Sequence, residues 1–95
     1  MTVVQGKVAT ASGGKYVRQL CKHWAHKLPV DLDGDRGTVT FPGAVVSMEG
    51  TVDAIVLSIS GDDGAEVERM KEVVERHLDR FAFREAPLRY EWAAQ

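Results

Sequence analysis

The amino-acid sequence predicts an α+β fold, a two-layer sandwich in which a curved antiparallel sheet carries two helices on one face. Three observations lead to this prediction. The predicted elements follow one another in the order β-α-β-β-β-β-α-β. Each helical segment has a single apolar stripe, as expected of a helix that packs on one side only. The four strands between the helices are separated by short turns, which suit antiparallel hairpins rather than parallel crossovers.

The chain opens with a strand, and a helix follows it. Apolar and polar residues alternate from Val3 to Ala11, which is typical of a strand with one buried face. Ser12 offers a hydroxyl cap to the helix, but Gly13 and Gly14 are poor helix formers, so its first turn is predicted to fray. Pro29 ends the helix at the residue before it. The apolar stripe of this helix comprises Val17, Leu20, Cys21, Trp24 and Leu28.

Four short extended segments come next, and the turns between them contain glycine. The segments are Val30 to Asp33, Gly37 to Phe41, Ala44 to Glu49 and Val52 to Ser60. Glycine-containing turns of this length connect hairpins, so the four segments are predicted to form a meander. The fourth segment has apolar residues on both of its faces and is therefore expected to lie centrally in the sheet.

A second helix and a last strand complete the predicted fold. Asp63 and Glu66 form a variant of the capping box, and the helix runs to about Phe81. Its buried stripe is predicted to be Val67, Met70, Val74, Leu78 and Phe81. Glu72 and Arg76 are spaced as a favourable i,i+4 ion pair. Alternation after Pro87 predicts the final strand. At the level of fold alone, this arrangement is closest to the TATA-binding-protein type, which by itself implies no function.

Composition limits the classes of function that need to be considered. The chain has 95 residues and is predicted to form a single domain over residues 1–95. A net charge of −2 gives no basic surface for nucleic acid, and no apolar segment has the length of a membrane span. Cys21 is the only cysteine, so no intramolecular disulfide can form. We therefore expect a cytoplasmic protein that binds neither nucleic acid nor membranes.

Histidines near the two helices are the candidate metal ligands. His23 and His26 lie about 60° apart around the first helix, so both could reach one ion. His77 lies at the flank of the stripe of the second helix, and it would join them if the two helices pack side by side. The alternative is structural: His77 is half-buried and bonded to a backbone carbonyl, and the other two are solvated. No motif identifies a cofactor, so the cofactor is left unknown.

Three segments of the sequence resemble one bacterial family. They are RQLCKHWAHKLPV at residues 18–30, GTVTFP at 37–42 and RHLDRFAFRE at 76–85. In this order and spacing they are similar to the family called domain of unknown function 2218. The resemblance covers nearly the whole chain. It implies little about activity, but some members are attached to siderophore-interacting flavoproteins, which implies a link with iron utilisation.

The resemblance also implies a set of candidate ligand-binding residues. The positions that match the histidine-containing motifs are His23, His26 and His77, and Lys27 and Arg84 are nearby cations. The leading hypothesis is a non-catalytic accessory module in which these residues bind a small anionic or metal-bearing ligand or a protein partner. The second is a small enzyme with His77 or His23 as general acid or base, which requires another titratable group in a pocket. The third is a homodimer formed through the uncovered face of the sheet.

Overall fold

The structure, a computed structural model, describes residues 1–94 and shows two helices packed on a six-stranded antiparallel sheet. In chain order the elements are β1 (Thr2–Ala9), α1 (Gly13–Trp24), β2 (Val30–Asp33), β3 (Arg36–Phe41), β4 (Ala44–Gly50), β5 (Ala54–Gly61), α2 (Gly64–Phe81) and β6 (Tyr90–Ala94). The predicted α+β class and the predicted order of elements are confirmed.

Several predicted boundaries differ from the observed ones by a few residues, such as the end of β1 at Ala9 rather than at Ala11. Two of these differences have the same cause. Helix α1 ends at Trp24 rather than at Leu28, and the chain between them turns so that the Leu28 N–H donates to the Trp24 carbonyl at 2.9 Å. Strand β5 begins at Ala54 rather than at Val52, because Val52 lies in a turn and is 90% exposed. In both cases the predicted apolar pattern included a residue, Leu28 or Val52, that lies outside the observed helix or strand.

The order of strands across the sheet is β2-β3-β4-β5-β1-β6. Strand β5 lies between β4 and β1, so its predicted interior position is correct. The first strand is also interior: β1 pairs with β5 on one side and with β6 on the other. The meander predicted for the four middle strands is formed by β2 to β5, each paired with the next.

One face of the sheet packs against both helices and forms the core. The α1 residues at the interface are Val17, Leu20, Cys21 and Trp24, and those of α2 are Val67, Met70, Val74 and Leu78, all of them buried. Phe81 and Leu28, the last members of the two predicted stripes, are only partly buried. The sheet contributes alternate residues such as Val46, Ile55 and Leu57. The strict alternation of burial along β4 and β1 leaves the opposite face of the sheet without a helix.

The start of α1 is held by contact between backbones, and the predicted fraying is wrong. A Cβ on Gly50 would lie 2.3 Å from the Gly14 nitrogen, and a Cβ on Gly13 would lie 2.6 Å from the Ala54 carbonyl oxygen. Only glycines permit the helix to approach the end of β4 and the start of β5 so closely. Ser12 occupies the N-cap position, but its side chain makes no capping hydrogen bond. Packing, rather than capping, therefore fixes this helix end.

The start of α2 follows the predicted cap in part. The Asp63 side chain accepts a hydrogen bond from the Ala65 N–H at 3.0 Å. Glu66 does not return to the cap, because its carboxylate pairs with Arg69 one turn later. The ion pairs found along α2 have i,i+3 spacing, and the predicted Glu72–Arg76 pair is not among those formed within residues 1–94.

Strand β6 is attached to α2 by hydrogen bonds from its aromatic side chains. The Tyr90 hydroxyl donates to Asp79 at 2.9 Å, and the Trp92 indole N–H donates to Glu75 at 2.6 Å. Burial and then the bond to Asp79 raise the pKa of Tyr90 well above its usual value, so the phenol stays protonated as the donor. A Cβ on Gly6 would lie 2.6 Å from the Trp92 ring, so the absence of a side chain there makes room for the indole.

Among the described residues, no helix has the length and apolar character needed to cross a membrane.

Candidate functional site

A cleft of about 410 Å³ opens where the end of α1 passes beside the middle of α2. We call it the histidine cleft. Its lining combines apolar side chains with imidazoles and one ammonium group: His23, Trp24, His26, Lys27, Leu28, Phe41, Val73 and His77. The amphipathic stripes of the two helices explain where the cleft lies. The core contacts of Trp24 and Val74 bring the flanks of α1 and α2 together.

His23 and His77 lie next to each other across the two helices. Their ring centroids are 5.8 Å apart and the rings are tilted by 44°. The Trp24 ring lies 5.2 Å from His77, and Phe81 contacts the other side of His23 at 5.7 Å. The structure therefore brings together the two histidines that the sequence placed on the flanks of separate stripes.

His77 is oriented by its own helix. Its Nδ1 lies 2.7 Å from the Val73 carbonyl oxygen, one turn earlier in α2. A carbonyl can only accept, so Nδ1 carries the proton and Nε2 of the neutral ring keeps its lone pair. This backbone bond is the one expected under the structural interpretation of His77. It also leaves one ring nitrogen able to accept a proton or bind a metal.

The remaining predicted site residues divide into two groups. His26 and Lys27 line the histidine cleft from the turn after α1. Arg84 does not: it lies beyond the end of α2, beside Phe83 and around a different cleft. The cation that sequence analysis missed is Arg80, whose charge acts on His23. Arg80 could have been identified from the sequence, because it follows His77 by three residues on the same helix and therefore lies near it.

The environment of His23 disfavours its charged form. Burial is the largest cause that lowers the pKa of His23, and the positive charges of His77, Arg80, His26 and Lys27 lower it further. Near neutral pH the His23 imidazole is therefore uncharged.

Neither three metal ligands nor an acid–base pair forms at this site. Within residues 1–94, no three His, Cys, Asp or Glu side chains come close enough together to hold a metal ion. The described residues that line the histidine cleft include no carboxylate. Cys21, the remaining soft ligand of this region, is fully buried, and burial raises the pKa of its thiol. What the cleft offers is an apolar surface, the two adjacent imidazoles of His23 and His77, and a lysine at its rim.

We expect the His23 imidazole to titrate below its ordinary value of 6.5 in the folded protein. A histidine with a depressed folded pKa binds protons more readily when unfolded, so stability should fall as pH decreases through about 6.5. The titration can be followed by the NMR shifts of the three imidazoles. His77→Ala removes the largest neighbouring charge and should move the His23 pKa upward. An unchanged His23 pKa in that variant, or a wild-type value at or above 6.5, would contradict this interpretation.

The fold and this cleft define a class of small α+β proteins with two helices on one face of an antiparallel sheet. Residues 5–93 match a family described as uncharacterized protein conserved in bacteria, DUF2218. Because this match covers most of the chain, the protein belongs to that family. The NMR structure of PA4090 from Pseudomonas aeruginosa is similar, with a TM-score of 0.83 and 30% identity over 98% of this chain and 96% of that one. No curated protein matches the chain.

Proposed function

We propose that this protein is a cytoplasmic, non-catalytic binding module, and that its histidine cleft binds a small, mainly apolar ligand with an acidic group. The observation that supports this most directly is the cleft itself, with two adjacent imidazoles beside an apolar surface and Lys27 at the rim. Pockets for small molecules have this composition: mostly apolar walls with a few polar groups that fix orientation. The volume of about 410 Å³ lies within the usual range.

Each part of the cleft has a separate role in this proposal. Trp24 and Phe41 pack edge to face at 5.1 Å and provide a rigid aromatic wall for the apolar part of the ligand. His77 Nε2, with its lone pair free, accepts a hydrogen bond from the ligand. Lys27 pairs with the acidic group at the solvent edge, where a charge keeps much of its hydration.

The other two hypotheses have less support. A histidine–carboxylate pair in a cleft would favour general acid–base chemistry by His23 or His77, and the described residues that line this cleft include no carboxylate. Dimerisation through the open sheet face needs a continuous apolar surface. That face instead carries Ser47 and Ser58, which are paired neighbours on β4 and β5, and charged residues such as Glu49.

A metal-bearing ligand is the second candidate for the same cleft. Two imidazoles with ring centroids 5.8 Å apart can each donate a nitrogen, while the ligand itself supplies the rest of the coordination sphere. The family resemblance implies a link with iron utilisation, so a ferric catecholate is the relevant chelate to test.

The test is a ¹H–¹⁵N NMR titration of the wild type with 6-hydroxynaphthalene-2-carboxylate, whose hydroxyl can donate to His77 Nε2, and with naphthalene-2-carboxylate, which lacks that donor. Separate titrations use a ferric catecholate or Zn²⁺. We expect shifts at the end of α1 and around Val73, and a loss of at least about fivefold in affinity for His77→Ala. Arg84→Ala is the matched control, because Arg84 lies outside the histidine cleft and should leave binding there unchanged. Equal binding by wild type and His77→Ala, or the absence of shifts at the end of α1 and around Val73, would show that the proposal is wrong.

A further inference from the structure

A second, smaller cleft of about 210 Å³ lies between the first half of α1 and the chain just after α2. We call it the phenylalanine cleft. Six side chains line it: Lys15, Tyr16, Gln19, Phe81, Phe83 and Arg84. Only Phe81 has contacts in both regions, since its ring also lies against His23. The two clefts therefore lie on either side of Phe81 and have separate polar groups.

The cations of the phenylalanine cleft are not neutralised by the protein. Over residues 1–94, neither Lys15 nor Arg84 has a carboxylate oxygen within ion-pair distance. The nearby carboxylate of Glu85 is already engaged, because it accepts hydrogen bonds from the Thr10 hydroxyl at 2.9 Å and from the Tyr16 hydroxyl. These hydroxyl donors are neutral and do not cancel the charge of Glu85, but the two cations Lys15 and Arg84 outweigh that single carboxylate, which favours an anionic ligand.

The other lining groups favour an aromatic ligand with a hydrogen-bond donor. Phe83 is 71% exposed, an unusual position for a large apolar ring, and the Arg84 guanidinium lies 5.8 Å from its centroid. The Gln19 side-chain oxygen is buried and has no hydrogen-bond donor among the residues that the structure describes. A buried acceptor without a partner destabilises a protein, so such a group in a cleft is a natural partner for a ligand N–H.

We propose that the phenylalanine cleft is a binding site for a small aromatic carboxylate that carries an N–H donor. The aromatic ring packs between Phe81 and Phe83. The carboxylate pairs with Arg84 and Lys15, and the N–H donates to the Gln19 oxygen after a small rotation of the amide. The cleft volume, below the range of drug-sized pockets, limits the ligand to about one fused ring pair. This site uses different polar residues from the histidine cleft and does not depend on its function.

The probe for the test is indole-3-acetate, which has the ring, the carboxylate and the N–H. In a ¹H–¹⁵N NMR titration of the His77→Ala variant, in which the histidine cleft is impaired, we expect saturable shifts in the first half of α1 and at residues 81–85, with a dissociation constant of about 1 mM for a ligand of this size. Tryptamine, with the opposite charge, and cyclohexylacetate, without the aromatic ring, should bind at least about tenfold more weakly. Equal shifts from all three compounds, or none from indole-3-acetate, would overturn the proposal.

Single substitutions distinguish binding at this site from binding in the histidine cleft. They also test whether the lining residues bind a ligand or only support the fold. Arg84→Ala and Lys15→Ala should each weaken indole-3-acetate binding by at least about fivefold, whereas His77→Ala should leave it unchanged. Gln19→Leu removes the buried acceptor, so it should raise the melting temperature of the free protein while weakening binding. A Gln19→Leu variant that melts lower, or that binds as well as the wild type, would show that the amide serves the fold and not a ligand.

Discussion

Replacing Trp24 with alanine is expected to cost about 3–5 kcal/mol of unfolding free energy. The indole is 6% exposed and packs edge-on against Phe41 at 5.1 Å and beside His77 at 5.2 Å. Its removal leaves a cavity bordered by α1, α2 and β3, whose backbones cannot close over it without disturbing the sheet. A domain of this size has roughly 5–10 kcal/mol of stability in total, so Trp24→Ala should be partly unfolded near 37 °C.

Urea unfolding followed by circular dichroism measures this loss. Phe83→Ala is the matched control, because it removes an aromatic ring that is 71% exposed and should change stability by less than about 0.5 kcal/mol. A Trp24→Ala variant within 1 kcal/mol of the wild type would mean that the indole does not bridge the two helices. The same variant tests the cleft, since loss of the aromatic wall should abolish binding of naphthalene-2-carboxylate.

Gly50→Ala is expected to cost about 3 kcal/mol, a large effect for one added methyl group. The new Cβ would lie 2.3 Å from the Gly14 nitrogen and 2.5 Å from the Gly13 carbonyl carbon. These are backbone atoms, so no side-chain rotation relieves the contact, and α1 must move away from the end of β4. Because α1 also contributes His23 and Trp24, such a shift should weaken ligand binding in the histidine cleft as well as lower stability.

The control for that variant is Gly64→Ala at the start of α2. There the nearest atom to a new Cβ is the Thr2 hydroxyl oxygen at 3.5 Å, an ordinary contact, and alanine is the better helix former. Gly64→Ala should therefore be neutral or stabilising by up to about 1 kcal/mol. Thermal melts of the two variants compare them directly. If Gly50→Ala and Gly64→Ala melt at the same temperature, the close approach of α1 to β4 is not a real constraint.

Local patterns were sufficient to predict the elements of this fold. The stripes from Val17 to Trp24 and from Val67 to Leu78 are both buried, and the apolar residues on both faces of β5 predicted its interior position correctly. The start of α1 was mispredicted because helix propensity is a local property. Gly13 and Gly14 are unfavourable in an isolated helix, yet their lack of side chains permits a contact with Gly50 that sequence spacing alone cannot reveal.

The candidate site was predictable only where the helix geometry determined it. His23 and His77 lie at the flanks of two stripes that had to face the same sheet, so their proximity followed from side-by-side packing. Arg84 was grouped with them by its place in a motif, but the chain turns away from the cleft after α2 ends at Phe81. The phenylalanine cleft was not predicted, because its two halves are far apart in sequence and only the contact between α1 and the chain after α2 brings them together.

The position of β1 inside the sheet determines the order in which this fold can assemble. Thr2 pairs with Gly61 and Ala9 with Ala54, so β1 has no partner until β5, more than 40 residues later in the sequence, has been made. Its second partner, β6, is synthesised later still. The hairpins of β2 to β5 can form earlier, since each joins neighbours along the chain. Closing so long a loop lowers the conformational entropy of the chain before the contacts between β1 and β5 can form, and this slows folding. During synthesis Val4 and Val8 remain accessible, and β1 is therefore the segment that we expect a nascent-chain chaperone to bind.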